Sequence, residues 1–345
     1  MSNTVSEAMG GYLFAHFIGE ETELSEQIYF SLSRNGLNFT DMNKLNPVLI
    51  SNVGERGVRD PFLCRSHEGD KFFIIATDLS IHNRGGWFKN EQGYYDASTT
   101  GSRYLVLWES PDLINWSEPR LIDVAPQNAG MAWAPEIIYD EAASEYVIFF
   151  SSSIMDPVTK YKAKPNAIYC VRSRDMINFS NTELFIDNQD GREIIDTTIL
   201  KINNFYYAVS KDGDNSEKGG GIVIHKSSDL KNWIKVLDLD DLCLDLSEAG
   251  VDVLDNSSLE GPELFLYNKS DWENPNVPEY GIIADRYMAG NGYLPLKTTD
   301  IEDKTGASWK VLSHNEYNFD RLKKRHGTIL PLTKDEVQKL CKHFM

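Results

Sequence analysis

A seven-residue phrase recurs four times along this chain, and nothing else in the sequence restricts the fold as tightly. It reads Ser33-Arg-Asn-Gly-Leu-Asn38-Phe39, then Ser110-Pro-Asp112-Leu-Ile-Asn115-Trp116. It returns as Ser173-Arg-Asp175-Met-Ile-Asn178-Phe179 and as Ser227-Ser-Asp229-Leu-Lys-Asn232-Trp233. Each copy keeps Ser first, Asp or Asn third, Asn sixth and a large aromatic seventh. A looser fifth copy is expected from Thr299-Asp300 to Trp309. Short polar side chains at those places bond to nearby backbone and hold a tight turn, and the aromatic packs an outer strand onto its neighbour. The starts lie 77, 63 and 54 residues apart, which suits one small antiparallel sheet per repeat. Such units cannot bury both faces alone and must stack, so the expected fold is an all-β propeller.

The strand pattern gives the blade count. Runs rich in Tyr, Phe, Ile and Val precede each phrase, and a short opening, with Pro or Gly in four of five cases, precedes each set of runs. The openings are Arg59-Asp60-Pro61, Trp133-Ala-Pro-Glu136, Ile195-Asp196-Thr197, Glu260-Gly-Pro-Glu263 and Arg325-His326-Gly-Thr328. After His326 only one strand follows, then Thr333-Lys-Asp-Glu336, a capping box that starts a short C-terminal helix. The N-terminus has the opposite defect: strands and a phrase with no opening. Pairing the C-terminal inner strand with the N-terminal strands repairs both and removes a free edge. The expectation is therefore a single five-bladed catalytic domain over residues 1–345, closed by its own termini.

Composition enters by exclusion. The 34 Lys and Arg against 52 Asp and Glu give a net charge of −18, which argues against nucleic acid as a partner. Cys64, Cys170, Cys243 and Cys341 are scattered, without the paired spacing of a zinc site. No membrane-length apolar run and no basic-then-apolar leader is visible, so a cytoplasmic location without membrane association is expected. The loop over residues 78–102, with Gly85-Gly86-Trp87 and Gly93-Tyr94-Tyr95, is long for a compact domain, and such loops tend to be functional.

Each opening carries an acidic or imidazole residue: Asp60, Glu136, Asp196, Glu260 and His326, spaced 76, 60, 64 and 66 apart. Taken singly, Asp-Pro and Glu-Gly-Pro are ordinary turn sequences. Taken together at the head of every innermost strand, they are expected to converge near the propeller axis. Crowded carboxylates resist joint ionisation and raise one another's pKa, which is the raw material of an acid–base site.

With those openings in that order, the chain resembles glycoside hydrolase family 43, five-bladed enzymes acting on arabinose- and xylose-containing glycans. The resemblance spans all five blades. It implies Asp60 as the general base that activates water, Glu260 as the general acid, and Asp196 as the carboxylate that orients the acid and raises its pKa. In an inverting enzyme the base and acid stand about 6.5–9.5 Å apart to admit a water. It also implies Arg286 as a binder of sugar hydroxyls, Trp133 as a wall for the sugar ring, and Arg59 and Glu136 as substrate contacts. His326 is similar to the axial histidine that in some members sits beside a bound calcium (Ca2+) or its waters; the hydrolysis itself requires no cofactor.

The activity so implied is inverting, exo-acting release of terminal α-L-arabinofuranosyl or β-D-xylosyl residues from short plant-derived oligosaccharides, the partner being a small-molecule substrate. Two alternatives stand beside it: an endo-arabinanase of the same family, and a non-catalytic carbohydrate-binding propeller. Fructan hydrolases share the five blades but place Arg-Asp-Pro later and follow the glutamate with Cys. A mannoside phosphorylase would need a basic phosphate pocket. Sugar, linkage and oligomeric state are not set by strand patterns.

Overall fold

The computed structural model describes residues 9–88, 96–188, 191–213, 221–242, 244, 259–287 and 292–345. Gly93-Tyr94-Tyr95 and Cys243 lie outside them. The described strands form five four-stranded antiparallel sheets, the five blades of a β-propeller. Four of the blades are built from consecutive strands. They open with Val58–Arg65, Trp133–Asp140, Ile194–Ile202 and Leu259–Leu266, each at one edge of its sheet. The fifth is the expected closure: Arg325–Thr333 is the edge strand beside Met9–Phe17, followed by Tyr29–Ser33 and Phe39–Asp41. The C-terminal helix Lys334–Phe344 carries the predicted capping box, with Thr333 and Glu336 bonding reciprocally. Among the described residues no helix is long and apolar enough to cross a membrane.

The chain falls into two compact units, one of Met1–Ala15, Tyr29–Asn46 and Thr198–Met345, the other of His16–Ile28 and Pro47–Thr197. Each has its own core. In the second, Phe73, Ile75, Leu105, Leu107, Ile148 and Phe150 belong to one buried cluster drawn from two successive blades. In the first, Val209, Ile224, Leu264, Ile282, Leu294 and Trp309 do the same. Period-2 alternation delivers these side chains to the inter-sheet layers, where burial of each large apolar side chain contributes about 1.5–3 kcal/mol.

The repeated phrase folds as its composition requires. In the second copy, Ser110 Oγ accepts from the amides of Asp112 (3.2 Å) and Leu113 (2.9 Å). Asp112 Oδ1 accepts from the amides of Ile114 (3.0 Å) and Asn115 (2.8 Å). The Asn115 side chain then donates to Asp112 Oδ2 at 2.7 Å. The copies at Ser173 and Ser227 repeat the same bonds to Asp175 and Asp229. The Asn178 amide, aided by its side chain, holds the Asp175 carboxyl well below the usual carboxylate range.

These bonds hold the fourth residue in the left-handed region: Gly36 at φ 74°, Leu113 at 67°, Met176 at 58° and Leu230 at 55°. Three non-glycine residues bear that strain because their side chains are buried and the turn bonds over-determine them. The degraded copy begins one residue earlier than expected. Thr298 Oγ1 takes the Asp300 amide and Asp300 Oδ1 takes the Glu302 amide, so Thr298 stands where the other copies have Ser.

Candidate active site

The opening strands share a backbone device that strand patterns do not report. The pairing with the next strand slips between Arg59 and Phe62, between Trp133 and Glu136, and between Glu260 and Glu263. At the slip one residue is left-handed: Asp60 at φ 50°, Ala134 at 46° and Gly261 at 52°, with Asp196 at 51° in the remaining consecutive blade. A bulge of this kind turns its side chain out of the ladder and re-aims it. The true equivalents are therefore Asp60, Ala134, Asp196 and Gly261, with His326 second in the closing strand.

This register corrects the expectation that five acidic or imidazole residues share one position. Of these, Asp60 and Asp196 do. Glu260 lies one residue earlier, at the place of Arg59, Trp133 and Ile195. Glu136 lies two residues later, level with Glu263, and is buried at 4% exposure. The bulge sits at the same place in each: Pro61, Pro135 and Pro262 directly follow the left-handed residue, so Glu136, after its Pro, and Glu260, two residues before its own, stand at other positions than Asp60.

In the unit that holds Asp60, its carboxylate accepts from the Thr77 hydroxyl at 2.8 Å. Thr77 Oγ1 in turn accepts the Ala134 amide at 2.8 Å, so its single proton is committed to Asp60. Thr77 is fully buried on the strand next door, opposite Arg59. Asp196 is nearly buried, and its amide donates to Ser151 Oγ at 3.0 Å.

Arg59 is a buried anchor. Its Nη1 bonds Glu20 and the fully buried Glu26, both at 2.9 Å, and its guanidinium lies over the rings of Phe17 (4.6 Å) and Trp87 (5.0 Å). Glu26 also takes the Ser80 hydroxyl and the amides of Ile81 and His82. Trp87 Nε1 donates to Glu20, and its ring meets Trp133 edge to face at 6.0 Å. Arg59 thus supports an aromatic wall from behind. The half-buried Trp133 keeps an indole N–H that has no hydrogen-bond partner among the described residues. Glu136 raises the Cys64 thiol, secondary to burial, and its own surroundings are strand interior.

In the unit that holds Glu260, two cations grip the carboxylate. Arg325 Nη2 bonds Oε1 at 2.8 Å and Lys211 Nζ bonds Oε2 at 3.2 Å. Arg325 is held by Asp285, the cross-strand partner of Glu260. Asp285 is buried, its Oδ1 has no partner among the described residues, and burial raises its carboxyl before the neighbouring Glu260 adds to the effect. Gly261 follows Glu260 at the left-handed position, where an added Cβ would stand 2.6 Å from the His326 ring; space and backbone both demand glycine. Glu263, fully enclosed, is pushed up to about 8 by burial, against the Ile329 amide (3.0 Å), His326 and the Thr198 hydroxyl (3.3 Å).

Arg286 follows Asp285 on strand Tyr280–Arg286. It is 2% exposed, donates to the carbonyls of Gly292 (3.1 Å) and Tyr293 (3.3 Å), and lines a cavity of about 430 Å³ with His314, Tyr317 and Phe319. The arginine in contact with Glu260 is Arg325, which sequence reading registered only as the neighbour of His326. Lys211 and Thr77 gave no sequence signal at all. Among the described residues no group of three or more His, Cys, Asp or Glu side chains could hold a metal ion.

A family model described as a probable glycosyl hydrolase domain, related to glycoside hydrolase family 43, matches residues 7–338. An α-L-arabinofuranosidase of Bifidobacterium longum subsp. longum is 32% identical over 284 residues, 76% of this chain and 25% of that protein. The chain thus spans about a quarter of the length of that curated relative. Among solved structures, the family 43 protein BlXynB of Bacillus licheniformis, as a single-site variant, matches with a TM-score of 0.52 at 14% identity. That match covers 95% of this chain and 58% of that one. A family 43 β-1,3-galactosidase with galactodeoxynojirimycin gives 0.51 at 12% identity, covering 84% and 87%. At such identities the structural likenesses show the fold.

Proposed function

This chain belongs to the glycoside hydrolase 43-related family, and on that premise we propose that it is an inverting exo-glycosidase. Its substrates on this reading are terminal α-L-arabinofuranosyl or β-D-xylosyl residues of plant-derived oligosaccharides, and the arabinofuranosidase relative favours the former. The observation that carries the reading is the repeated left-handed opening. It presents Asp60 and Asp196 at equivalent positions and sets Glu260 one residue ahead of its own bulge.

Asp60 acts as the general base. The Thr77 hydroxyl, donating to Oδ2, orients the carboxylate, which takes a proton from the attacking water. Glu260 acts as the general acid. Its proton passes to the departing glycosidic oxygen, which also takes the electrons of the breaking C–O bond, while the water oxygen bonds the anomeric carbon from the opposite face. Arg325 and Lys211 hold the two oxygens of Glu260 in place. Asp196 is assigned as the third carboxylate, which orients the acid. Trp133 and Trp87 offer an apolar wall of the kind sugar rings stack on.

A chromogenic panel of pentosides and hexosides, with NMR of the first-formed anomer, tests this reading. Turnover of the α-L-arabinofuranoside or β-D-xyloside with inverted product is expected. Product of retained configuration would overturn the assignment of Asp60 as a base, and turnover restricted to hexosides would overturn the sugar class. Long oligosaccharides as first products from linear arabinan would replace exo with endo action.

A further inference from the structure

We propose that the cavity beside Arg286 is a binding site for a carboxylate-bearing sugar, a hexuronate unit held by Arg321 and Lys323 against the rings of Tyr317 and Phe319. The inference goes beyond the hydrolase reading and does not depend on it. All the residues concerned belong to the first compact unit. The cavity has a volume of about 430 Å³, within the range of roughly 300–1,000 Å³ that small-molecule sites occupy. Its lining carries four cations, Arg286, Arg321, Lys323 and Lys324, and one carboxylate, Asp320. That balance reverses the charge of the whole chain, which is −18.

The four cations are not alike. Lys324 is buried against the enclosed carboxylate of Asp41. Arg286 is buried too, with its guanidinium on the carbonyls of Gly292 and Tyr293. Arg321 and Lys323 are exposed, and among the described residues neither side chain forms a hydrogen bond or an ion pair. Asp320 is engaged, its Oδ2 accepting the Asp41 amide at 2.9 Å. The segment that carries Arg321 and Lys323 is anchored through its backbone. Asp41 Oδ2 accepts the amides of Arg321 (3.1 Å) and Leu322 (2.8 Å). The Phe39 amide donates to the Asn318 carbonyl at 2.8 Å, and the Phe319 ring stacks on Phe39 with centroids 5.6 Å apart. Tyr317 lies 5.5 Å from Phe319, and its hydroxyl meets His314 Nδ1 at 3.2 Å. A ligand therefore meets cations on a backbone already in place, which lowers the ordering cost of binding. A guanidinium takes a carboxylate through two parallel N–H bonds. The rings supply apolar surface for the C–H face of a sugar. An inorganic anion would use the cations and leave the rings idle, and a neutral sugar would do the reverse. A sugar acid uses both.

The test is isothermal titration calorimetry of the full chain with digalacturonate, galactobiose and inorganic phosphate, each at low and high salt. Digalacturonate is expected to bind at one site and to weaken as salt rises, because exposed charges are screened. Combining Arg321→Ala with Lys323→Ala should weaken it about tenfold, the sum of two exposed charge contacts. The Arg321 bond to Asp41 is made by the backbone, so both truncations leave the anchors in place. Arg321→Gln with Lys323→Gln serves if the alanine pair fails to fold. Absence of digalacturonate binding, or an unchanged affinity in the double variant, would overturn the proposal. So would galactobiose binding as tightly, or phosphate binding as tightly and displacing the disaccharide. Failure of the hydrolase reading looks different: no glycoside of the chromogenic panel would turn over while digalacturonate still bound.

Discussion

The surroundings of Asp60 and Glu260 differ in kind. Asp60 receives a neutral hydroxyl whose proton is committed by a backbone amide on its far side. Glu260 receives two cations, one of them anchored by a buried carboxylate. A hydroxyl donor aims a carboxylate. Two cations fix both oxygens of a carboxylate. The contrast teaches that two similar side chains on similar bulged strands keep different company, which is what the proposed reading uses to give them opposite roles.

The largest expected effects are those that abolish the contrast. Asp60→Asn should lower kcat by about 10³-fold on every substrate, since no leaving group removes the need for a base. Glu260→Gln should cost about as much on an unactivated oligosaccharide but far less on a nitrophenyl glycoside, which needs little protonation. Steady-state kinetics on the two substrate types check both, and equal losses for the two variants would erase the distinction.

Thr77→Val probes the Asp60 side alone. It removes the donor to Asp60 and leaves the Ala134 amide unsatisfied, so a stability loss of about 1–3 kcal/mol in denaturant melts is expected. The accompanying fall in kcat should be about tenfold, with no change in leaving-group dependence.

Glu263 probes the other side through pH. Its folded pKa, about 8, lies above the ordinary carboxyl value, so the folded state binds the proton more tightly. Its stabilising contribution is full below the ordinary carboxyl pKa and is lost as pH rises through about 8. Thermal melts of the parent should fall across that window, and those of Glu263→Gln should fall less. Smallest of all, Asp112→Ala in a repeated turn, away from the openings, should cost about 1 kcal/mol of stability and leave kinetics unchanged.

Much of this was legible in the residues. The phrase at Ser33, Ser110, Ser173 and Ser227 specified its own turn, because its bonds join side chains and amides two or three residues apart. The openings were likewise visible, and Asp60 and Asp196 do share a position. Glu136 follows its Pro whereas Asp60 precedes its own, so the two stand at different positions of the shared bulge. Arg286, expected as a sugar contact, has bonds to the carbonyls of Gly292 and Tyr293 that no spacing in the sequence announces.

What the sequence determined alone is whatever depends on near neighbours: the turns, the strand alternation, the capped C-terminal helix and the count of five blades. What only the tertiary structure decided is the company each carboxylate keeps. Lys211 and Arg325 reach Glu260 across 49 and 65 residues of chain, and Thr77 reaches Asp60 from the adjacent strand. Local bonding is written in spacing, whereas charge and proton affinity depend on through-space distance and burial, which exist only once the sheets have stacked.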